Sequence, residues 1–108
     1  MVRKELSDQA LGLVAQRFKA LSDPLRLRLI LALMDGERNV GDLVEGCGAT
    51  QANVSRHLQT LTEAGILKRK KIGLHVYYDI ADRTVFELCD LVCGSVEDFL
   101  RNQVNAFH

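Results

Sequence analysis

Short polar side chains and one cation are spaced along residues 50–61 at intervals that fit one face of a helix. The apolar residues among them, Val54, Leu58 and Leu61, follow the i, i+4, i+7 pattern of a buried face. The remaining side chains are of the types that contact base edges and phosphates in the major groove of DNA. We therefore predict a recognition helix whose contacts are Thr50, Gln51, Asn53, Ser55, Arg56 and Gln59. The alternative is an ordinary solvated helix face.

A run of four consecutive cations follows this helix, inside the first of two strand-like segments. The segments span residues 66–72 and 75–80 and are separated by Gly73 and Leu74, which predicts a β-hairpin. Cations on a hairpin beside a recognition helix are expected to lie along the phosphate backbone, as a wing does. The predicted contacts are Lys68, Arg69, Lys70, Lys71 and His75. The alternative is an edge strand on which charge prevents aggregation.

Two of the three cysteines, Cys89 and Cys93, are four residues apart in a segment with helical periodicity. This spacing places their Cβ atoms about 6 Å apart on one helix face, where two thiolates can hold As(III), Sb(III) or Cd(II). A third ligand would come from Cys47, a partner subunit or a small molecule. Oxidation or persulfidation of the pair is a second interpretation. Packing of two small apolar side chains is a third, and no cofactor is required under any of them.

The elements that position these groups are predicted from caps and apolar periodicity. Asp23 and Pro24 start a helix that is apolar on several sides and is expected at the centre of the core. A turn is expected at residues 46–48, Gly65 suits the end of the recognition helix, and Asp82 suits the start of the last helix. The predicted helices span about residues 6–21, 24–34, 40–45, 50–64 and 82–104.

These elements predict a mainly α (α+β) fold, a single winged helix-turn-helix domain over residues 1–108. The helix-turn-helix covers about residues 40–64 and the wing about 66–80. The last helix carries apolar residues on more than one face, which exceeds what a small domain can bury. We therefore predict a twofold homodimer through the first and last helices. Such a dimer would place two recognition helices about one DNA turn apart on an inverted repeat.

Composition and the distribution of charge limit the kinds of partner and the cell compartment that we expect for this chain. The chain of 108 residues has no net charge, but residues 50–75 carry five cations against one glutamate, and residues 76–108 carry six acids against two arginines. The positive segment is the one expected on DNA, and the negative segment is the last helix. No long apolar run predicts a membrane span, and residues 1–8 lack the apolar core of an export signal. Three cysteines predict a reducing cytoplasm rather than a disulfide framework.

Five short segments occur in an order typical of one family: residues 20–30 (ALSDPLRLRLI), 50–51 (TQ), 54–58 (VSRHL), 64–65 (AG) and 76–78 (VYY). They resemble the ArsR/SmtB winged-helix repressors, and the resemblance covers nearly the whole chain. It implies a homodimeric repressor whose first and last helices form the interface. It also implies an effector that binds the protein and lowers its affinity for operator DNA.

Two effector sites implied by this resemblance are incomplete. The arsenic- and cadmium-type site near the third helix uses two cysteines, at positions held here by Asn39 and Gly41. The zinc-type site on the last helix uses two acids and two histidines, and the matching residues are Asp82, Thr84, Ser95 and Asp98. Both acids are kept, and neither histidine is present. Carboxylates and hydroxyls alone make a poor zinc site, so zinc binding at this place is not expected.

Two other classes of protein compete with a DNA-binding regulator. An enzyme is disfavoured, because the sequence has no phosphate-binding glycine loop and no arrangement of a nucleophile with a base. A winged-helix module that binds protein instead of DNA is disfavoured by the polar face of residues 50–60 and by the cationic hairpin. A winged-helix repressor with no thiol sensing stays open.

Overall fold

The computed structural model describes residues 6–106 of the chain. Residues 1–5 and 107–108 lie outside this range, so the expectation about an export signal, which depended on residues 1–8, falls largely outside the described part. The elements between them are α1 (Asp8–Leu21), α2 (Pro24–Ala32), β1 (Arg38–Asn39), α3 (Val40–Cys47), α4 (Gln51–Glu63), β2 (Leu67–Ile72), β3 (His75–Ile80) and α5 (Arg83–Ala106).

Side-chain caps define where the first four helices begin. The carboxylate of Asp23 accepts hydrogen bonds from the backbone N–H groups of Leu25 (2.8 Å) and Arg26 (3.1 Å), and Pro24 occupies the first turn. The bond from Arg26 does most to hold the pKa of Asp23 below its usual value. Equivalent caps at the other three helices are Ser7, Asn39 and Thr50. The predicted helix starts at Pro24 and after Thr50 are therefore confirmed.

The core is built around α2 and α4. Leu29 and Ile30 of α2 are fully buried, and so is the predicted stripe of α4, namely Val54, Leu58 and Leu61. Burial of one such side chain contributes about 1.5–3 kcal/mol to folding. The other walls are formed by buried apolar residues of α1, α3, α5, the hairpin and the segments that follow α2 and α4: Ala20, Leu33, Leu43, Ile66, Leu67, Tyr78, Ile80, Val85, Phe86 and Cys89. The stripe holds α4 so that its polar residues face away from the core.

The three strands form one antiparallel sheet in the order β1-β3-β2. Leu67 of β2 pairs with Ile80 of β3, and the register continues outward to Ile72 opposite His75. The two turn residues follow a type II′ pattern, in which Gly73 adopts a φ of +61°. The buried hairpin residues Leu67, Tyr78 and Ile80 lie toward its Leu67 end, whereas Leu74 at its tip is 95% exposed.

The predicted helix bounds hold to within two residues, α2 ending at Ala32 rather than near residue 34. The structure differs from the sequence prediction in two further places. The short strand β1 was not predicted, because two residues carry no periodicity, and it adds a third strand by pairing Arg38 with Tyr78. The turn was expected at residues 46–48, but α3 continues through Cys47 and ends at Gly48, whose φ is +67°. Gly48 has the left-handed conformation that ends a helix, and the turn therefore spans residues 48–50, between Cys47 and Gln51.

The observed architecture is a winged helix-turn-helix: α3 and α4 form the helix-turn-helix, and β2 and β3 form the wing. The predicted mainly α fold with five helices and a hairpin is thereby confirmed. Within residues 6–106, none of the helices combines the length and the apolar character needed to cross a membrane.

Candidate nucleic-acid interface

The polar residues of α4 fall into two rows on its exposed surface. Gln51, Ser55 and Gln59 follow one another at intervals of four and face the wing. Asn53 and Arg56 lie on the side away from the wing, where Arg56 Nη2 donates a hydrogen bond to Asn53 Oδ1 at 2.9 Å. This bond limits the freedom of a long cationic side chain, so Arg56 is partly positioned before it meets any ligand.

The four cations of the wing are divided between the two faces of the hairpin. Side chains alternate along a strand, and Leu67, which points into the core, marks the face toward α4. Arg69 and Lys71 share that face. Lys68 and Lys70 lie on the opposite face. Lys68 is opposite Asp79 in the strand register, and Lys70 Nζ lies 3.8 Å from Glu37 Oε2. Sequence reasoning treated the four as equivalent, and the pleat separates them.

An open cleft of about 810 Å³ lies between α4 and the wing. The predicted contact residues that line it are Gln51, Ser55, Gln59, Arg69 and His75. Hydrogen-bonding groups on the helix therefore face a guanidinium on the hairpin across a concave surface. That arrangement suits a ligand that offers hydrogen-bonding edges and negative charge together, as a nucleic acid does.

The remaining predicted contacts lie outside this cleft. Thr50 caps α4, since its Oγ1 accepts a hydrogen bond from the N–H of Asn53 at 3.2 Å. Lys71 is exposed beyond the cleft on the face of Arg69, while Lys68 and Lys70 are on the far face of the wing.

Sequence reasoning missed several residues at this surface, and the cleft is also lined by Asn39, Val40, Gly41, Thr62, Val76 and Tyr78. Leu74 is 95% exposed at the wing tip, although turns favour glycine, proline and small polar residues over leucine. Glu63 lines the cleft and accepts a hydrogen bond from Gln59 Nε2 at 3.0 Å. Glu37 was also missed, and it lies beside Lys70 on the opposite face of the wing. The i, i+4 spacing of Gln59 and Glu63 was a usable signal, whereas the contact of Glu37 depends on tertiary structure.

The three cysteines are free, and they lie in different environments. Cys89 is 5% exposed within the core, while Cys93 is half-buried one turn further along α5. Burial raises the pKa of the Cys89 thiol, and the neighbouring Cys93 thiol adds to this effect. Cys47 packs at the end of α3, where its thiol donates to the carbonyl of Val44 at 3.7 Å.

The described residues offer no complete metal site within one protomer. No cluster of three or more potential ligands from histidine, cysteine, aspartate and glutamate occurs among residues 6–106. Cys47 is therefore not a third ligand for Cys89 and Cys93 within the same subunit. Asp82, at a zinc-type position, forms an ion pair with Arg17 and caps α5 through the N–H of Thr84, and Asp98 pairs with Arg101. The residues at the zinc-type positions thus do not fit that ion.

The outer faces of α1 and α5 are rich in large apolar side chains that the protomer leaves exposed. Among the residues of α1, only Ala20 is buried. The exposed set comprises Leu11, Leu13, Val14, Phe18, Leu91, Val92, Val96, Phe99, Leu100 and Val104. An apolar surface of this extent is typical of an interface with another protein.

Known proteins are similar to this chain in sequence and in architecture. The family described as "Bacterial regulatory protein, arsR family" matches residues 23–69. A probable mercury resistance operon repressor from Streptomyces lividans is 36% identical over 74 residues, 68% of this chain and 59% of that protein. A transcriptional repressor SmtB homolog from Synechocystis is 40% identical over 85 residues, 79% of this chain and 64% of that protein. The chain therefore spans less than two thirds of the length of these two relatives.

Solved structures of regulatory proteins have the same fold as this chain. A homodimeric winged helix-turn-helix DNA-binding domain from Mycobacterium bovis, described as a possible ArsR-family regulator, has a TM-score of 0.76 at 30% identity, covering 91% of this chain and 92% of that one. The antimony-specific transcriptional repressor AntR has a TM-score of 0.80 at 31% identity, covering 92% of this chain and 90% of that one. These relatives are regulators, which confirms the prediction of a regulator rather than an enzyme. The chain belongs to the ArsR family of bacterial regulatory proteins.

Proposed function

We propose that this chain is a DNA-binding transcriptional repressor that binds an inverted-repeat operator as a homodimer. The observation that carries the proposal is the cleft in which Gln51, Ser55 and Gln59 of α4 face Arg69 of the wing. In this arrangement α4 enters the major groove and reads base edges, while Arg69 and Lys71 neutralise phosphates beside it. The names of the relatives, which include repressors and a DNA-binding domain, support the same function.

The distribution of charge supports one orientation on DNA. Residues 50–75, which include α4 and the wing, carry a net charge of +4, and residues 76–108 carry −4. Association on the face of α4 and the wing is attractive, and association through α5 is repulsive. The zero net charge of the whole chain is therefore compatible with DNA binding, because the positive charge is concentrated on α4 and the wing.

The proposed dimer uses the exposed apolar faces of α1 and α5. The homodimeric mycobacterial neighbour supports self-association. A twofold interface buries the same patch on both subunits. It leaves the two α4 helices free on a common side of the dimer, where they meet successive major grooves.

DNA binding is tested by fluorescence anisotropy of a labelled duplex from the region upstream of the protein's own gene. Wild type is expected to bind this duplex more tightly than a scrambled one, and Gln51→Ala with Arg56→Ala is expected to remove that preference while the dimer persists. Glu97→Gln, on an exposed part of α5, is the matched control. Absence of binding even at low salt on every upstream duplex would favour a protein-binding module instead.

We further propose that a thiol-directed effector acts on Cys89 and Cys93 of α5 and releases the DNA. Their spacing lets two thiolates hold one soft ion, with a third ligand from the partner subunit or a small molecule. Relatives named for resistance to mercury and cadmium and for antimony specificity support a thiophilic ion such as As(III), Sb(III) or Cd(II). Oxidation or persulfidation of the same pair is the second candidate for the effector chemistry. The three free cysteines are consistent with the reducing cytoplasm that we propose as the location of the protein.

The effector is identified by titrating the complex of protein and duplex. Arsenite, antimonite, cadmium and a polysulfide are added separately to wild type and to the Cys89→Ser/Cys93→Ser variant, with Cys47→Ser as the control. Release of wild type and Cys47→Ser but not of the double variant would assign the sensor, and the reagent that acts would define its chemistry. If no reagent releases wild type, the two cysteines are packing residues, as the burial of Cys89 alone would suggest.

A further inference from the structure

The guanidinium of Arg17 lies where three elements meet. It extends from α1 to Asp82, the residue before α5, with Nη1 and Oδ2 2.5 Å apart. It also lies against the turn that ends α4, because a Cβ placed on Gly65 would be 3.4 Å from Arg17 Nη2. One side chain therefore joins α1 to the residue that caps α5 and to the turn that ends the proposed recognition helix.

The Arg17 side chain is 46% exposed, so solvent screens part of this ion pair, but its surroundings give the contact a structural role. Helix α1 is attached to the body of the protomer mainly through Ala20, because its other residues are exposed or only partly buried. The side chain of Asp82 is 23% exposed, and its second oxygen, Oδ1, accepts the N–H of Thr84 at 3.0 Å. The carboxylate is thus held in place by the first turn of α5, so Arg17 binds a fixed partner rather than a mobile one.

We propose that Arg17 is a positioning residue that sets the direction of the recognition helices relative to the dimer axis, acting through Asp82 and the Gly65 turn. The inference rests on the proposed function. An inverted repeat needs two α4 helices at one fixed separation. If the end of α4 is tilted relative to the interface helices α1 and α5, the twofold axis repeats that tilt in the second subunit. The separation between the two α4 helices then changes by the sum of both displacements. Arg17 itself touches no DNA in this arrangement.

The test is a double-mutant cycle measured on operator DNA. Arg17→Gln removes the charge, and Asp82→Asn removes the partner charge while keeping Oδ1 as the cap of α5. Each single variant is expected to bind the operator about fivefold more weakly, the scale of one such ion pair. The double variant is expected to bind no more weakly than either single variant, because the two residues act through one ion pair. Arg17→Lys is expected to restore part of the affinity.

A second readout separates positioning from stability and from direct contact. Wild type is expected to discriminate strongly against operators whose half-sites are moved apart or together by one base pair, and the Arg17 and Asp82 variants to discriminate less. Simple destabilisation would lower binding to all duplexes equally. A phosphate contact by Arg17 would reduce the salt dependence of binding, which positioning leaves unchanged. Glu97→Gln, which removes an exposed ion pair with Arg101 on α5, is the matched control.

The outcomes distinguish this inference from the proposed function. If wild type binds no operator, the proposed function fails and the inference fails with it. If wild type binds but the cycle gives additive effects, an unchanged spacing preference or a reduced salt slope, the inference alone is overturned. Coupled effects with a relaxed spacing preference and an intact dimer would support it.

Discussion

Lys70 Nζ lies 3.8 Å from Glu37 Oε2, on the opposite face of the wing from Arg69, its neighbour in sequence. Two adjacent cations of the same run thus meet different surroundings: one faces the cleft beside α4, and the other faces a carboxylate of its own chain. The run of four cations is therefore divided between the face of the wing toward α4, where we propose that DNA binds, and the opposite face.

This division predicts unequal effects of alanine substitutions in the wing. Arg69→Ala is expected to weaken binding to all duplexes and to reduce the slope of log K against log salt by about 0.9 for each phosphate that the protein no longer neutralises. Lys70→Ala is expected to change that slope little, because its charge is partly offset by Glu37. Anisotropy titrations over a range of salt concentrations measure both. Equal slopes for the two variants would contradict the assignment of faces.

Arg56 is predicted to carry sequence preference. Arg56→Lys keeps the charge but removes the planar fork that binds a guanine edge, so binding to the operator is expected to weaken by about 1–3 kcal/mol, with little change on scrambled DNA. Asn53→Ala frees Arg56 from its 2.9 Å hydrogen bond and is expected to have a smaller effect in the same direction. Equal weakening on both duplexes would instead identify Arg56 as a phosphate contact.

The dimer interface is tested at Phe99, which is exposed on the outer face of α5. Phe99→Glu would place a carboxylate in an apolar interface, and the dimer dissociation constant is expected to rise on the order of 100-fold. Phe99→Leu keeps an apolar side chain and serves as the control. Sedimentation velocity gives the oligomeric state. A dimer that survives Phe99→Glu would exclude this face as the interface.

The glycine that ends α4 is predicted to be costly to replace. Gly65 has a φ of +78°, so Gly65→Ala is expected to destabilise the fold by about 1 kcal/mol. Gly46 lies within α3 and has open space around it, so Gly46→Ala is expected to stabilise by about 0.5–1 kcal/mol. Urea denaturation of both variants measures the difference. If both variants shift in the same direction, the conformational explanation is wrong.

Thiol reactivity is predicted to follow burial. Because burial raises the pKa of Cys89, its thiolate becomes populated only at a higher pH than that of an ordinary thiol. Alkylation by iodoacetamide, mapped by mass spectrometry, is expected to modify Cys89 last, and its rate should be half-maximal at a higher pH than that of a small thiol free in solution. Unfolding in urea should abolish the difference. Alkylation of Cys89 at the rate of the other cysteines in the folded protein would contradict its burial.

Most of the fold follows from local patterns that a single chain carries. The apolar stripe of Val54, Leu58 and Leu61, the cap at Asp23 with Pro24, and the turn residues of the hairpin depend on neighbours within a few positions. Helix and hairpin chemistry acts over that range. For the same reason the two-residue strand β1 was missed, since its pairing partner Tyr78 is 40 positions away.

The residue types at the candidate interface, the excess of apolar surface on α5 and the split of charge along the chain were all contained in the sequence. The pairing of Lys70 with Glu37, the burial of Cys89 beside a less buried Cys93, and the meeting of Arg17, Asp82 and Gly65 were not. Each of these depends on which faces pack together after distant segments have folded. Periodicity defines a side chain's place on its own element, whereas its partners depend on how the elements pack against one another.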